Sequence, residues 1–471
     1  MKKKTACIMS MLMTTVMLIT ASFTMTTSVR AAQPSAGQTQ PAGVSPAASQ
    51  PAAVQSAPAQ PQPAQPALPQ AVPGRPPVQN TPGNNPTAAT TASSASRDDN
   101  LQTTISESYG AHAMGMDKLK LFARAYNVTR QVKVGVLDTS IVTEHQFFSG
   151  RVVKNRLGIT GGSKWHGTIC AGVIADCTPR SVRIYGYRVN TKQPETIVRA
   201  LQQAIHDGVQ VISMSIAIDS RNRYVPQIEK LLQQAYKRNI VLVAAAANNR
   251  KNMKRVYPAC SQYTFAVSAL RQDNSRPAAI KYMRFDKRYS NFGNGVSFSA
   301  PGTDIHTATN SAVNRCAYAS GTSLATPHIA SCFAYLKMFY PGKSNMQLFK
   351  IIKGYCVDLG SSGFDNYYGW GVPYIKNLVN EYRRQFDRNQ VIVTGVKKSG
   401  DELTVKVRGI KGASYTLYQR KARNDRRGWR KIKTIRKGNK IQVSVDKGTQ
   451  YEYIVLMQSG KYLYLSDYFR K

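Results

Sequence analysis

The chain has 471 residues, 42% of them hydrophobic, with 64 Lys and Arg against 24 Asp and Glu and a net charge of +40. Its length suits two or three domains at roughly 150 residues each. The charge favours anionic partners, among which nucleic acid is the least favoured because no reader motif accompanies the basic residues. Beyond an N-terminal apolar stretch no run approaches the roughly 20 residues that span a bilayer, and no Cys/His spacing suggests zinc. No metal ligand set or cofactor is evident, and calcium is left open.

Residues 1–32 read as a secretory signal peptide: Lys2-Lys3-Lys4, an apolar stretch from Ala6 to about Met25, and a small-residue cleavage site at Ala31-Ala32. The protein is therefore expected outside the cytoplasm: extracellular, at the cell surface or periplasmic. Residues 33–98 are Ala, Pro, Gln, Ser and Thr with almost no large apolar side chains, a composition that cannot offset the entropy of folding and reads as a linker.

From 99 to 385 apolar strands alternate with amphipathic helices. Val132–Leu137 reads as a buried strand ending on Asp138-Thr139-Ser140, and His166-Gly167-Thr168 opens an apolar helical segment from Ile169 to Ala175. Glu195–Asp207 and Pro226–Asn239 carry apolar residues at helical spacing, while Val209–Ile216 and Ile240–Ala247 are near-continuous apolar runs, as strands covered on both faces should be. Helices between such strands predict right-handed crossovers and a parallel sheet with flanking helices, an α/β fold with its site at the strands' carboxyl ends. Gly321-Thr322-Ser323 sets a serine on a tight turn at the start of another apolar helix.

From 386 the pattern changes to about seven short alternating strands, which predicts a small all-β sandwich. These residues carry 21 Lys and Arg against 7 Asp and Glu, densest between Arg420 and Lys440. That cluster is the expected contact for an anionic polymer or lipid head groups. Cys7 falls in the signal region. The other six cysteines, Cys170, Cys177, Cys260, Cys316, Cys332 and Cys356, are consistent with up to three disulfides, and Cys170 and Cys332, on apolar helical segments, equally with free buried thiols.

A serine hydroxyl is a weak nucleophile that needs a base and a group to orient the base. Asp138, His166 and Ser323 supply these types in the order Asp, His, Ser, which is the subtilisin order. Together with Gly321-Thr322-Ser323-x-Ala325-Thr326-Pro327 and the run from Ile240 to Asn248, they make residues 101–380 resemble the subtilisin-like serine peptidases (subtilases, family S8). The resemblance implies a peptidase acting on protein or peptide substrates, with Asp138, His166 and Ser323 catalytic and Asn248 in the oxyanion hole. It also implies substrate-binding backbones at Ser215, Ile216, Ala217, Ala246 and Ala247. Ala217 and Ala247 stand where the family usually has glycine, and the 33–98 segment stands where it usually has a folded inhibitory prodomain. Gly448-Thr449-Gln450-Tyr451 resembles the start of the tyrosine-bearing strand of fibronectin type III domains. Two other functions fit the same residues: a surface-binding protein with a vestigial peptidase body, and a transpeptidase in which an amine intercepts the acyl-enzyme.

Overall fold

A computed structural model describes residues 106–125, 128–157, 165–273, 279–378, 391–421, 429–446, 448–460 and 462–470. The signal-peptide and linker expectations, and residues 422–428 of the basic cluster, lie outside the described residues. Two short helices lead in, α1 (Tyr109–Ala113) and α2 (Met116–Ala125). The central sheet has eight strands: β1 (Val132–Asp138), β2 (Val153–Leu157), β3 (Val182–Arg188), β4 (Val211–Met214), β5 (Val241–Ala245), β6 (Phe265–Gln272), β7 (Met283–Phe285) and β8 (Val296–Pro301). Their order is β8-β6-β5-β4-β1-β3-β2, with β7 added to β6. Every pair is parallel except β6 with β7.

The parallel sheet follows from crossover helices: α3 (Trp165–Cys177), α4 (Glu195–His206), α5 (Val225–Lys237) and α6 (Thr322–Phe339), followed by α7 (Asn345–Lys353). The spacing-based expectations for α4 and α5 differ from these spans by one or two residues at their ends. Past their last turns, Gly208 (φ +63°) and Asn239 (φ +61°) adopt the left-handed conformation that ends a helix. Helix α6 is different in kind: every residue from Thr322 to Met338 is buried. A helix apolar on all sides belongs in the interior, and α6 runs through the core with Ser323 in its first turn.

The C-terminal residues form antiparallel sheets. Strands β11 (Ile392–Ser399), β12 (Glu402–Arg408) and β15 (Lys440–Ser444) make one sheet; β14 (Arg430–Ile435), β13 (Ser414–Lys421), β16 (Tyr451–Ser459), β17 (Tyr462–Leu465) and β18 (Phe469–Arg470) make the other. In chain order, the hairpin β9 (Ile305–Ala308) and β10 (Cys316–Ala319) comes between the central sheet and these sheets. The fold is thus α/β with a mainly parallel sheet and flanking helices, followed by antiparallel sheets.

The strongest element of the basic cluster points inward. Arg420 is 6% exposed and Trp429 is fully buried. Arg420 pairs with Glu452 at 2.8 Å and donates to the Glu107 carbonyl, with its guanidinium 4.5 Å from the Trp429 ring centroid. Trp429 Nε1 and the Tyr468 hydroxyl both donate to the Ser106 carbonyl at 3.1 Å, and Tyr468 stacks on His112 of α1 at 3.8 Å. The C-terminal sheets therefore grip the chain just where it enters the α/β body.

Candidate active site

Asp138 ends β1, buried at 1% exposure. Its carboxylate accepts from Thr139 N at 2.6 Å and lies 2.7 and 2.8 Å from His166 Nδ1. His166 is the second residue of α3, and Gly167 explains how that helix reaches the strand. An ideal Cβ at Gly167 would sit 2.0 Å from the Thr139 carbonyl, so only glycine lets the two backbones close; Gly167 N donates to Thr139 Oγ1 at 2.7 Å and Val142 N to Thr168 Oγ1 at 3.0 Å. The His-Gly-Thr motif is thus a docking device as well as the source of an imidazole.

Ser323 sits in the first turn of α6 at 8% exposure. Its carbonyl would ordinarily accept from the amide four residues on, but that residue is Pro327, which has no N–H. Two side chains take its place: Ser215 Oγ donates to the Ser323 carbonyl at 2.9 Å and Cys170 Sγ at 3.4 Å. Cys170 lies one turn beyond His166 on α3, with its sulfur 3.9 Å from His166 Nδ1. The base and the serine backbone are therefore joined through one thiol. Among the described residues no hydrogen bond joins the Ser323 hydroxyl to the imidazole; in ligand-free sites such bonds are often long and tighten on substrate binding.

The Cys170 sulfur and the Asp138 carboxylate raise the His166 pKa and burial lowers it, with a net upward shift. Burial also pushes the Cys170 thiol up, so the thiol is neutral at pH 7 and the upward pull on the imidazole there falls to Asp138.

Asn248 follows β5. Its Oδ1 accepts from Thr322 N at 2.8 Å and Thr322 Oγ1 at 2.9 Å, which leaves Nδ2 as its donor. An ideal Cβ at Gly321 would lie 3.2 Å from Asn248 Nδ2 and 3.6 Å from Ser323 N. Gly321 keeps open a space that both donors border. Ala247 has φ +76°, a conformation that costs a residue with a Cβ roughly 1–2 kcal/mol. Asn291, fully buried, holds this turn: its Oδ1 accepts from Asn249 N and Lys251 N, and its backbone N–H donates to the Ala247 carbonyl. Ser215, Ile216 and Ala246 are buried, Ala247 is half-buried and Ala217 is exposed.

Sequence reasoning missed Thr139, Thr322 and Asn291 as supports, and the role of Cys170. Helical i, i+4 spacing from His166 could have found Cys170; the others depend on contacts between distant loops. His328 stays outside the site: its Nδ1 donates to the Leu324 carbonyl at 2.7 Å, and burial lowers its pKa to about 4. Asp138, His166 and Cys170 are also the one group of metal-ligand types within 4.8 Å of each other among the described residues. Asp138 is already committed to the imidazole and to Thr139 N, so this cluster reads as part of the same site. All six cysteines outside the signal region are free thiols, so no disulfide joins them here.

The subtilase family model matches residues 129–371. The chain belongs to the subtilase family. It is 29% identical over 263 residues, 52% of its length, to the minor extracellular protease Epr of Bacillus subtilis, of which 38% is covered. Subtilisin-like proteases of Coccidioides posadasii (30% identity, 43% of this chain, 50% of that protein) and Trichophyton rubrum (31%, 43% and 48%) are also similar. The match thus spans half or less of these relatives. The solved structure of a lanthipeptide protease aligns with 56% of this chain and 92% of its own at 23% identity and a TM-score of 0.46. No described helix is long and apolar enough to cross a membrane.

Proposed function

We propose that this subtilase is an exported serine endopeptidase working through an acyl-enzyme. Ser323 Oγ attacks the scissile carbonyl; His166 takes its proton and returns it to the leaving amine; Asp138 fixes the tautomer and stabilises the imidazolium. The Asn248 amide and the Ser323 backbone N–H donate to the oxyanion in the space beside Gly321, at the amino end of α6 where the helix dipole favours negative charge. The observation that carries this reading is the 2.7 Å contact from Asp138 to His166 Nδ1, the nitrogen that leaves Nε2 for the serine. Labelling with a fluorophosphonate tests it: the wild-type chain should be labelled and Ser323→Ala should not. Equal labelling of both removes Ser323 as nucleophile, and no labelling of either favours the vestigial, surface-binding reading.

Specificity follows from the two alanines. With Ser215, Ile216 and Ala246, the backbones at Ala217 and Ala247 line the proposed primary pocket, and each methyl narrows it. The expected preference is for small P1 side chains, by the 10-fold to 200-fold typical of a methylene-sized change. The domain division we propose is a catalytic body at 99–385 and a fibronectin type III-like sandwich at 386–471, supported by two antiparallel sheets and by the Tyr451 hydroxyl bonding Asp446 at 2.5 Å. For an anionic surface partner, the exposed cations of the cluster among the described residues are Lys431, Lys433, Arg436, Lys437 and Lys440; Arg420, being buried, is not among them. Export is supported by the N-terminal composition and by the extracellular relative.

A further inference from the structure

Far from His166, at the other end of α3, a cavity of about 660 Å³ is lined by four cationic side chains, Lys120, Arg124, Arg151 and Arg180, and, among the described residues, by no Asp or Glu. Ala175, which lines it, lies nine residues along the helix from His166, or roughly 14 Å at 1.5 Å per residue. The cavity is therefore separate from the proposed catalytic centre.

Its floor is built. Lys120 Nζ donates to the Asp176 carbonyl at 2.7 Å. Arg151 donates to the carbonyls of Ala175, Thr178, Pro179 and Val182 and to Thr178 Oγ1, at 2.6 to 3.1 Å. Neutral acceptors fix these two groups in place but leave their charge. The carboxylate beside both, Asp176, turns into the body and accepts from Glu107 N and Ser108 N. Burial lowers the pKa of Lys120, and that of Arg151 to about 10, the direction expected of cations short of counter-charge.

The rim adds directional donors. Arg124 and Arg180 are exposed. Gly150 (φ +68°) makes room for the second: an ideal Cβ there would lie 2.8 Å from Arg180 Cζ, so the guanidinium rests on glycine backbone. Ser181 Oγ is buried with no hydrogen-bond partner, and Ser149 adds a second hydroxyl to the lining. Four cationic side chains thus line one cavity whose described lining holds no carboxylate, and forked guanidinium donors suit phosphoryl oxygens.

We propose that this cavity is a binding site for a small polyphosphate, an anion carrying two or more phosphoryl groups, with Arg124 and Arg180 as the recognising side chains. The full chain carrying Ser323→Ala, to prevent self-digestion, is titrated with inorganic pyrophosphate by calorimetry at constant ionic strength. Saturable binding of one pyrophosphate per chain is expected, weakened at least tenfold by Arg124→Gln with Arg180→Gln. In the otherwise wild-type chain the same pair should leave hydrolysis of a short peptide unchanged. A control pair, Lys431→Gln with Lys437→Gln, removes the same charge elsewhere and should bind as tightly as the parent. Absence of saturable binding overturns the proposal. So does equal weakening by the two pairs, which would mean attraction to overall charge, or equal affinity for sulfate, which would mean an adventitious ion only. Melting temperatures of both pairs, expected to match the parent, separate lost binding from lost folding.

Discussion

Ser215 Oγ donates to the Ser323 carbonyl because Pro327, one helical turn on, has no N–H to offer it. A hydroxyl on β4's trailing segment thus substitutes for a helix hydrogen bond at the residue that carries the proposed nucleophile. Ser215→Ala leaves the carbonyl with the weaker Cys170 thiol alone. About 1–2 kcal/mol of stability should be lost, with kcat falling about tenfold as the serine backbone loosens. Thermal melts and steady-state kinetics check this; unchanged kcat would make the bond purely architectural.

The imidazole should set the acid limb of the pH profile. The Asp138 carboxylate favours the protonated imidazole, and activity should fall as pH drops through the His166 pKa because the protonated ring cannot accept the serine proton. Asp138→Asn should move the limb down and reduce kcat by about 10⁴-fold. A limb that stays in place in the variant would show that another group titrates.

Ala247→Gly should act on both stability and specificity. Relief of φ +76° should add about 1 kcal/mol, and loss of the methyl should raise turnover of substrates with large P1 side chains relative to small ones. Peptide-library profiling of both proteins reads the change, and an unaltered P1 profile counts against this wall of the pocket.

The grip of the C-terminal sheets on residues 106–112 should be energetically substantial. Arg420→Ala leaves Glu452 buried with the Arg470 guanidinium at 2.5 Å, and removal of one partner of a buried pair typically costs about 3–5 kcal/mol. Truncation near residue 385 should accordingly lower the melting temperature of the catalytic body. A truncated body that melts like the full chain would show that the contact contributes nothing to stability.

Glu107 gives that junction a pH dependence. Burial raises its carboxyl to about 7, above the ordinary 4.5. Between those values the folded chain holds a proton that the unfolded chain has released, so its contribution to stability is present below about pH 4.5 and is lost as pH rises through about 7. Glu107→Gln should flatten the fall in melting temperature over that window; parallel curves for the two proteins would refute the assignment.

Much of this could be read in the chain because local chemistry carried it. Apolar spacing marked α4 and α5, Gly208 their first boundary, and the continuous apolar runs marked β4 and β5. The types and order of Asp138, His166 and Ser323 pointed to one site before any distance was known. What escaped was what only tertiary contact decides. Arg420 and Trp429 sit in a run rich in basic residues and look solvated, yet they pack on Ser106 and Glu107, more than 300 positions earlier. Asn291 resembles any turn asparagine until its oxygen is seen to take two amides of the loop after Asn248.

Arg151 gathers five oxygens from the end of α3 to the start of β3, a task for which many proteins recruit a bound cation. Here the positive charge is covalently part of the chain. It cannot be diluted away or stripped by a chelator, so the order of this loop should depend on the sequence alone and not on the ionic composition of the surroundings.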